Sequence, residues 1–488
     1  MENKKYFVGV DIGSSNVVMV VGSQVDDQPI KIEGCESQPA EGVAAGSINN
    51  VHSVGNAIRA VKERLESNLK IKIDEASVGI ANERVRCVTY TDHVFVRDNY
   101  TNCIEQEDIT SLHERMQNVI ADQSEEILAR IPQCYIIDNN GKEIDNPVGS
   151  FGQTVSAKFL FVLCQKEQLK RVKMAMNHAG MRLQNVFINP MVLPEVLLSD
   201  DEKNDGVAIV DIGGETTDVA IYREGKLRHI ASIPIGAQSI NVDMKTFGIT
   251  ERLTSQYKHH HGQAVSDMVE ENLTISIQMA GQVRKNYPLR NLVAIIEARL
   301  KDIIEYAMVE VKVAKMTTKI PCGIVITGGS ALLENIDLLF KRETNLPART
   351  SRVEYGLSGE SCEQYGAYAN TAAIGVMLAS SKHAPSNVVK MHEIVRPTPP
   401  TRPTPPQPAI VTPKANKETT PQPVKDTTTT NLKSEVKVKA DNNTDNGTTI
   451  KTTTSSKKSG KSKGRGFWGA ISNTLDTILG NNNKDEVL

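Results

Sequence analysis

The chain has almost no net charge: 56 Lys and Arg stand against 58 Asp and Glu, a balance of −2 over 488 residues. Nothing global therefore draws it to nucleic acid or another polyanion, and any electrostatic partner has to be met locally. No long apolar run opens it either. MENKKYF leads straight into a β-type stretch, so neither a signal peptide nor a transmembrane span is expected. The seven cysteines (35, 87, 103, 134, 164, 322 and 362) include no CxxC pair. That argues for reduced thiols in a cytosolic compartment and against a zinc ribbon. Apolar residues are also scarce over one long stretch. From His383 to Lys463 the chain turns to Pro, Thr and Lys, and eleven of its 21 prolines lie between 385 and 423. Such a segment cannot bury enough surface to offset its ordering entropy, so 381–463 reads as a disordered, partly polyproline linker.

What is present before that linker alternates β-rich and helical patterns. Helices are expected over 51–69, 105–121, 166–179, 236–247, 289–316 and 364–379, and strands over 76–80, 85–96, 154–164 and 323–327. There is also an internal echo. VGVDIGSSNVVMVVG (8–22) and AIVDIGGETTDVAIY (208–222) each give an apolar strand, a D-I-G turn and a second apolar strand. The same β-hairpin written twice predicts two related α/β domains.

Both turns have the parts needed to hold a nucleoside triphosphate. Small residues (Gly13, Gly213 and Gly214) let backbone N–H groups approach phosphate oxygens. Ser14, Ser15, Asn16, Thr216 and Thr217 add polar side chains. Asp11 and Asp211, at strand ends, suit a hydrated Mg²⁺, which takes few direct protein ligands. Downstream, GIVITGGSALLENI (323–336) runs a strand into Gly328, Gly329 and Ser330 and should open a helix there. A flat adenine could lie against that bare backbone. One D-I-G turn is more often an ordinary hairpin; two in matching context, with the GG segment after them, are far more specific. HHH (259–261) has no Cys or carboxylate at ligand spacing, and adjacent helical side chains diverge, so an exposed polar face is expected there rather than a metal site.

In this order the two phosphate loops and the GG loop resemble the actin/Hsp70/sugar-kinase superfamily, and within it the FtsA family of bacterial cell-division proteins. IPQCYIIDNNGKEIDNPVG (131–149) resembles that family's IPQ…NPVG segment, and SIPIGAQSINVDMKTFGI its second-domain helix start. The resemblance covers about residues 5–380 and 464–480. It implies an actin-like fold of two duplicated ribonuclease-H-like domains, with subdomain 1A at 1–84, 163–190 and 364–380 and an FtsA-type subdomain 1C at 85–162. Subdomain 2A would take 191–240 and 308–363, and 2B would take 241–307. It further implies ATP and Mg²⁺ as cofactors, Lys258 near the ribose, and self-assembly into an actin-like filament. The smaller lobe of the second domain would hold the acidic C-terminal peptide of the tubulin-like FtsZ, through Arg290 and Arg299. No catalytic residue is implied. One departure matters: DIGGETTD places Glu215 where the family usually has a third glycine. Its carboxylate either points to solvent or stands near the γ-phosphate and weakens binding by like-charge repulsion.

After the linker comes GRGFWGAISNTLDTILG (464–480). On a helical net Phe467, Ile471, Leu475 and Leu479 recur at i, i+4, and Trp468 and Ile478 widen that stripe. Lys457, Lys458, Lys461, Lys463 and Arg465 stand just upstream. A basic flank and the chain's one tryptophan, at headgroup level, suit an interfacial helix on anionic inner-membrane lipids, followed by a polar tail at 481–488. The expected protein is thus a peripheral adaptor on the cytoplasmic face of the membrane at the division site. The alternatives are a pilus-assembly actin homologue, a small-molecule kinase lacking an identifiable catalytic carboxylate, and an Hsp70-like chaperone lacking a peptide-binding domain.

Overall fold

A computed structural model describes residues 4–26, 28–97, 100–246, 248–278 and 284–383. The linker beyond 383 and the amphipathic segment with Phe467, Trp468, Ile471, Leu475, Ile478 and Leu479 lie outside the described residues. No described helix is long and apolar enough to cross a membrane.

Two five-stranded sheets are built to one plan. In the first, Lys4–Ile12 pairs antiparallel with Asn16–Val25, which pairs antiparallel with Lys31–Pro39. On its other side Lys4–Ile12 runs parallel to Glu75–Ile80, and that strand runs parallel to Arg182–Ile188. In the second, Val207–Ile212, Thr217–Arg223 and Lys226–Ile233 form the antiparallel part, and Ile324–Thr327 and Ala348–Thr350 the parallel part. The echo at 8–22 and 208–222 is therefore the hairpin at the centre of each sheet. Over residues 7–12 and Val207–Ile212 the opening strand of each hairpin is buried at every position but its aspartate, as a strand covered on both faces must be.

Helices supply that cover. Val51–Leu69 starts at Asn50, whose side chain accepts the N–H groups of His52 and Ser53, and stops at Lys70 in the left-handed region. Its Val54, Ile58, Val61 and Leu65 stripe is buried against the first sheet. The last helix, Thr371–His383, lies on the opposite face. A Cβ added to Gly34 would meet Leu65 and Leu69 of the first helix, whereas one added to Gly9 would meet Ala373 and Met377 of the last. Gly34 pairs with Val21 and Gly9 with Val20, and neighbouring register rows point to opposite sides of a sheet.

A separate four-stranded sheet is inserted after Glu75–Ile80, in the order Arg86–Phe95, Thr154–Gln165, Glu125–Ile137, Glu143–Ile144. Helix Gln106–Gln117 packs on it around Ile109, Leu112, Met116, Phe159 and Phe161. The long strand Glu125–Ile137 had no clear signal in the sequence, because EEILARIPQCYII mixes charge, proline and apolar residues without alternation. Its ladder slips between Lys158 and Phe159, opposite Pro132, which cannot donate a ladder hydrogen bond. That slip turns Gln133 towards the second sheet, where its Nε2 donates to the Leu227 carbonyl at 3.0 Å. Lys226 answers by donating to the Gln133 carbonyl at 2.8 Å.

Two expected helices are corrected. In place of one helix over 364–379, Gly359–Tyr365 ends at Gly366, a 3₁₀ turn follows at Tyr368–Asn370, and Thr371–His383 begins afresh. The GG segment opens only a 3₁₀ turn, Gly329–Leu332, before the helix Ile336–Thr344. Asn335 at φ +63 separates them, a left-handed residue that an α-helix cannot include.

The close approach at Gly9 gives a test. A Cβ there would stand 2.5 Å from the Ala373 carbonyl oxygen and 2.6 Å from the Met377 nitrogen. Gly9→Ala should therefore cost about 2–3 kcal/mol in urea unfolding, as overpacked cores do. Gly359→Ala, where a Cβ meets nothing within 4 Å, is the control and should be near neutral. Equal midpoints for the two variants would show that the last helix yields easily.

Candidate functional site

The two D-I-G turns face each other. Each is closed in the same way, by Gly13 N–H donating to the Asn16 carbonyl and Gly213 N–H to the Thr216 carbonyl, at 3.1 and 2.9 Å. They pass in contact: a Cβ on Gly214 would lie 2.1 Å from Ser15 Oγ. With the GG turn they enclose a cavity of about 510 Å³. Asp11, Gly13, Ser14, Ser15, Asn16, Asp211, Gly213, Gly214, Thr216, Lys258, Gly328, Gly329 and Ser330 all lie on its wall.

Thr217 does not. It is fully buried and its hydroxyl donates to the Ile235 carbonyl at 2.8 Å, so a polar role in the cavity is corrected to a structural one. Glu215 is corrected too, since neither orientation expected of it is found. Its Oε2 accepts the N–H of Ala45 at 2.8 Å, reaching from the second sheet's turn to the short hairpin Val43–Ala44/Ser47–Ile48 beside the first. The turn of that hairpin has Ala45 at φ +45 and Gly46 at φ +73, the two left-handed positions of a type I′ turn. Alanine is strained there, and Glu215 stabilises it in place.

The electrostatics are those of an acidic cleft. Asp11 and Asp211 stand at the ends of the two central strands, and Asp218 closes the second hairpin opposite Asp211. Burial pushes the Asp11 carboxyl up to about 6, against one hydrogen bond from Asn189. Burial, then the neighbouring Asp11, pushes Asp211 up to about 7. Asp218 is raised well above the ordinary carboxylate value by burial and by both other carboxylates, while the Ser232 hydroxyl donates to it. No ion pair reaches any of the three among the described residues. Lys258 donates to the Ala237 carbonyl at 3.0 Å, and burial lowers its ammonium to about 8.

This wall fits a polyphosphate carried with a divalent cation. Ser330 Oγ, Asn189 Oδ1 and Asn241 Oδ1 are buried on it without a hydrogen-bond partner, and buried polar atoms rarely stay so. A Cβ on Gly329 would meet nothing within 4 Å, leaving bare backbone towards the space. Gly328 has φ +85, and its Cβ would strike Asp211 Oδ1 at 2.2 Å, so only glycine brings that turn against the carboxylate.

Sequence reasoning missed Asp218, Asn189, Gln238 and Asn241. Asp218 was visible as the last letter of DIGGETTD. Asn189 was not, because its bond to Asp11 spans 178 positions. The other candidates lie away from the carboxylates. Arg299 is bound on both sides, by Asp243 at 2.7 and 2.9 Å and Asp302 at 3.0 Å. Arg290 is half-exposed beside Glu271 at 3.7 Å. His259, His260 and His261 are exposed on the last turn of Glu251–His261, with His259 at the cavity rim.

The Glu215 contact gives a prediction. Glu215→Gly should cost about 1–2 kcal/mol, a charged hydrogen bond discounted for its half-exposed setting. It should also speed amide hydrogen exchange at Ala45 and Gly46. Unchanged exchange at those two amides would show that the contact does not hold the hairpin.

Comparison with known proteins agrees with this architecture. A family model described as cell division protein FtsA matches residues 208–375, and one described as the SHS2 domain inserted in FTSA matches 82–163. The chain is 28% identical to the cell division protein FtsA of Pseudomonas aeruginosa over 364 residues, covering 74% of this chain and 85% of that protein. It is 26% identical to that of Escherichia coli K12 over 343 residues, covering 68% and 81%. Among solved structures, a PilM–PilN type IV pilus biogenesis complex superposes with a TM-score of 0.51 at 12% identity, covering 76% of this chain and 98% of that one. Duplicated sheets with paired D-I-G turns, a separate domain inserted at the matched positions, and this similarity over most of the chain make it a member of the FtsA family of actin-like cell-division proteins.

Proposed function

We propose that the chain binds ATP with Mg²⁺ between its two D-I-G turns, assembles into an actin-like filament, and moors FtsZ filaments to the cytoplasmic face of the inner membrane. The observation that carries the nucleotide reading is a cluster of three carboxylates, Asp218 buried and Asp11 and Asp211 partly exposed, facing two small-residue turns and a GG turn across one cavity. Asp11 and Asp211 would hold the water shell of Mg²⁺, with Asn189 keeping Asp11 oriented. The turns at 13–16 and 213–216 would cradle the phosphates, and Gly328 to Ser330 would receive the adenosine, with Lys258 on the ribose side. The Mg²⁺ carried with ATP would supply the positive charge that this cleft lacks, with Asp11, Asp211 and the two turns holding the pair. Family membership supports a role in division, and the membrane reading rests on the apolar stripe of 464–480 with its basic flank. One such helix gives reversible attachment, and many copies on a filament bind by avidity. For the FtsZ peptide, Arg290 is the more available cation, and Arg299, tied to Asp243 and Asp302, would shape the surface beside it.

Two measurements test this. Mg-ATP should raise the melting temperature of the full chain, with a stabilisation that grows as RT ln(1 + [L]/Kd). Asp11→Ala should remove most of that rise, and an equal shift in both proteins would mean the site is misplaced. Trp468→Glu should abolish pelleting with anionic vesicles while leaving the ATP shift intact. Vesicle binding that survives the substitution would put the anchor elsewhere.

A further inference from the structure

Outside the nucleotide cavity, a chain of titratable side chains joins three elements at the seam between the inserted sheet and the second sheet. Cys87 lies near the start of Arg86–Phe95, the edge strand of the inserted sheet. Its Sγ is 3.2 Å from Nδ1 of His229, on Lys226–Ile233, and 3.5 Å from the Ile230 carbonyl oxygen. The other ring nitrogen, Nε2, is 2.8 Å from Oε2 of Glu310, near the end of Leu289–Val313. A ring with an acceptor on either side is fully satisfied as imidazolium, donating to a thiolate and to a carboxylate. This is the nucleophile, base and orienting acid arrangement that activates thiols. Burial opposes the thiolate, but the hydrogen bond and charge of His229 outweigh it and hold the Cys87 thiol below its ordinary value. Burial likewise opposes the imidazolium, and the bonds to Cys87 and Glu310 overcome it, raising His229 to about 9. Other thiols contrast with this: burial pushes Cys35 up to about 12 and Cys134 and Cys164 up to about 11. The flanking cations are otherwise engaged, Arg86 by Glu125 and Arg228 by Glu224 and Gln133.

We infer that Cys87, with His229 as its proton partner and Glu310 orienting that ring, is a hydroperoxide-reactive thiol whose oxidation loosens the inserted domain from the second sheet. Cys87 is a partly exposed residue on an edge strand, and a hydroperoxide is a small reactant. The thiolate attacks one peroxide oxygen, so that an S–O bond forms as the O–O bond breaks. Sulfur gives up two electrons, and the departing hydroxide or alkoxide takes the His229 proton and leaves as water or alcohol. Cys87 sulfenic acid and a neutral His229 remain. The charge attraction across the seam is then gone, beside the Gln133–Leu227 and Lys226–Gln133 hydrogen bonds that complete it.

The test uses the full chain, reduced, with each cysteine followed by mass spectrometry. Iodoacetamide at about pH 6.5 should label Cys87 several-fold faster than Cys103, a comparably part-exposed thiol of the same inserted domain. His229→Gln should slow Cys87 at that pH and move the rise of its labelling rate to more alkaline pH, because burial then acts on the thiol unopposed. Hydrogen peroxide followed by dimedone should mark Cys87, and peroxide should speed amide exchange in 128–136 and 226–231 of the wild type but not of Cys87→Ser. If wild-type Cys87 labels no faster than Cys103, or its pH profile is the same in His229→Gln, the thiol is not activated and the proposal fails. If Cys87 oxidises fully and exchange across the seam does not change, the loosening is overturned.

Discussion

Three carboxylates meet at the junction of two sheets with no basic side chain paired to them among the described residues, and the architecture around them can be read as the means of holding them there. Each of Asp11 and Asp211 stands near the end of a central strand whose neighbouring residues are buried, which fixes where its carboxylate meets the cavity. Burial raises all three carboxyls, and neighbouring carboxylates add to the rise at Asp211 and Asp218. Such a cluster costs stability unless a cation or proton neutralises it. Proteins tolerate that cost at functional sites, and here the surrounding turns carry small residues and orphaned polar atoms facing the same space.

The duplicated hairpins also explain the shape of the cleft. Because the turns repeat one geometry, they present matching backbone to one cavity from two sides, and at Gly214 and Ser15 they are in contact. Glu215 adds a link of its own. Where a glycine would leave the second turn bare, its carboxylate reaches the strained Ala45 turn beside the first sheet. A side chain at a phosphate-loop position thus serves the protein's own backbone and ties the two sides of the cleft together.

The inserted domain is joined to the second sheet by a different chemistry. The strand slip at Pro132 frees Gln133 to bond across the seam, and Lys226 and Arg228 meet it from the opposite side. The Cys87, His229 and Glu310 chain completes that seam with groups whose charge depends on a proton and on the oxidation state of sulfur. The inserted domain has an apolar cluster of its own, and a second one that includes Leu160, Val162, Leu227 and Ile230 runs across the seam, so packing and polar contacts together hold it to its neighbour.

Much of this was legible from the residues. The echo of 8–22 at 208–222 showed the duplicated hairpin, because an apolar strand, a turn of small residues and a second apolar strand are local patterns. DIGSSN, DIGGETTD and TGGS likewise marked the cavity wall, since close backbone approach demands small residues wherever the chain later goes. Helix ends were less legible: the break at Gly366 and the 3₁₀ turn after Gly328 depend on what surrounds the chain there. Only the tertiary structure decided which groups meet. Asn189 orients Asp11 from 178 positions away, Glu215 finds Ala45 across 170, and Cys87 finds His229 across 142. Hydrogen bonds and charge coupling act over a few ångströms, and separation along the chain says nothing about which side chains folding will bring within that range.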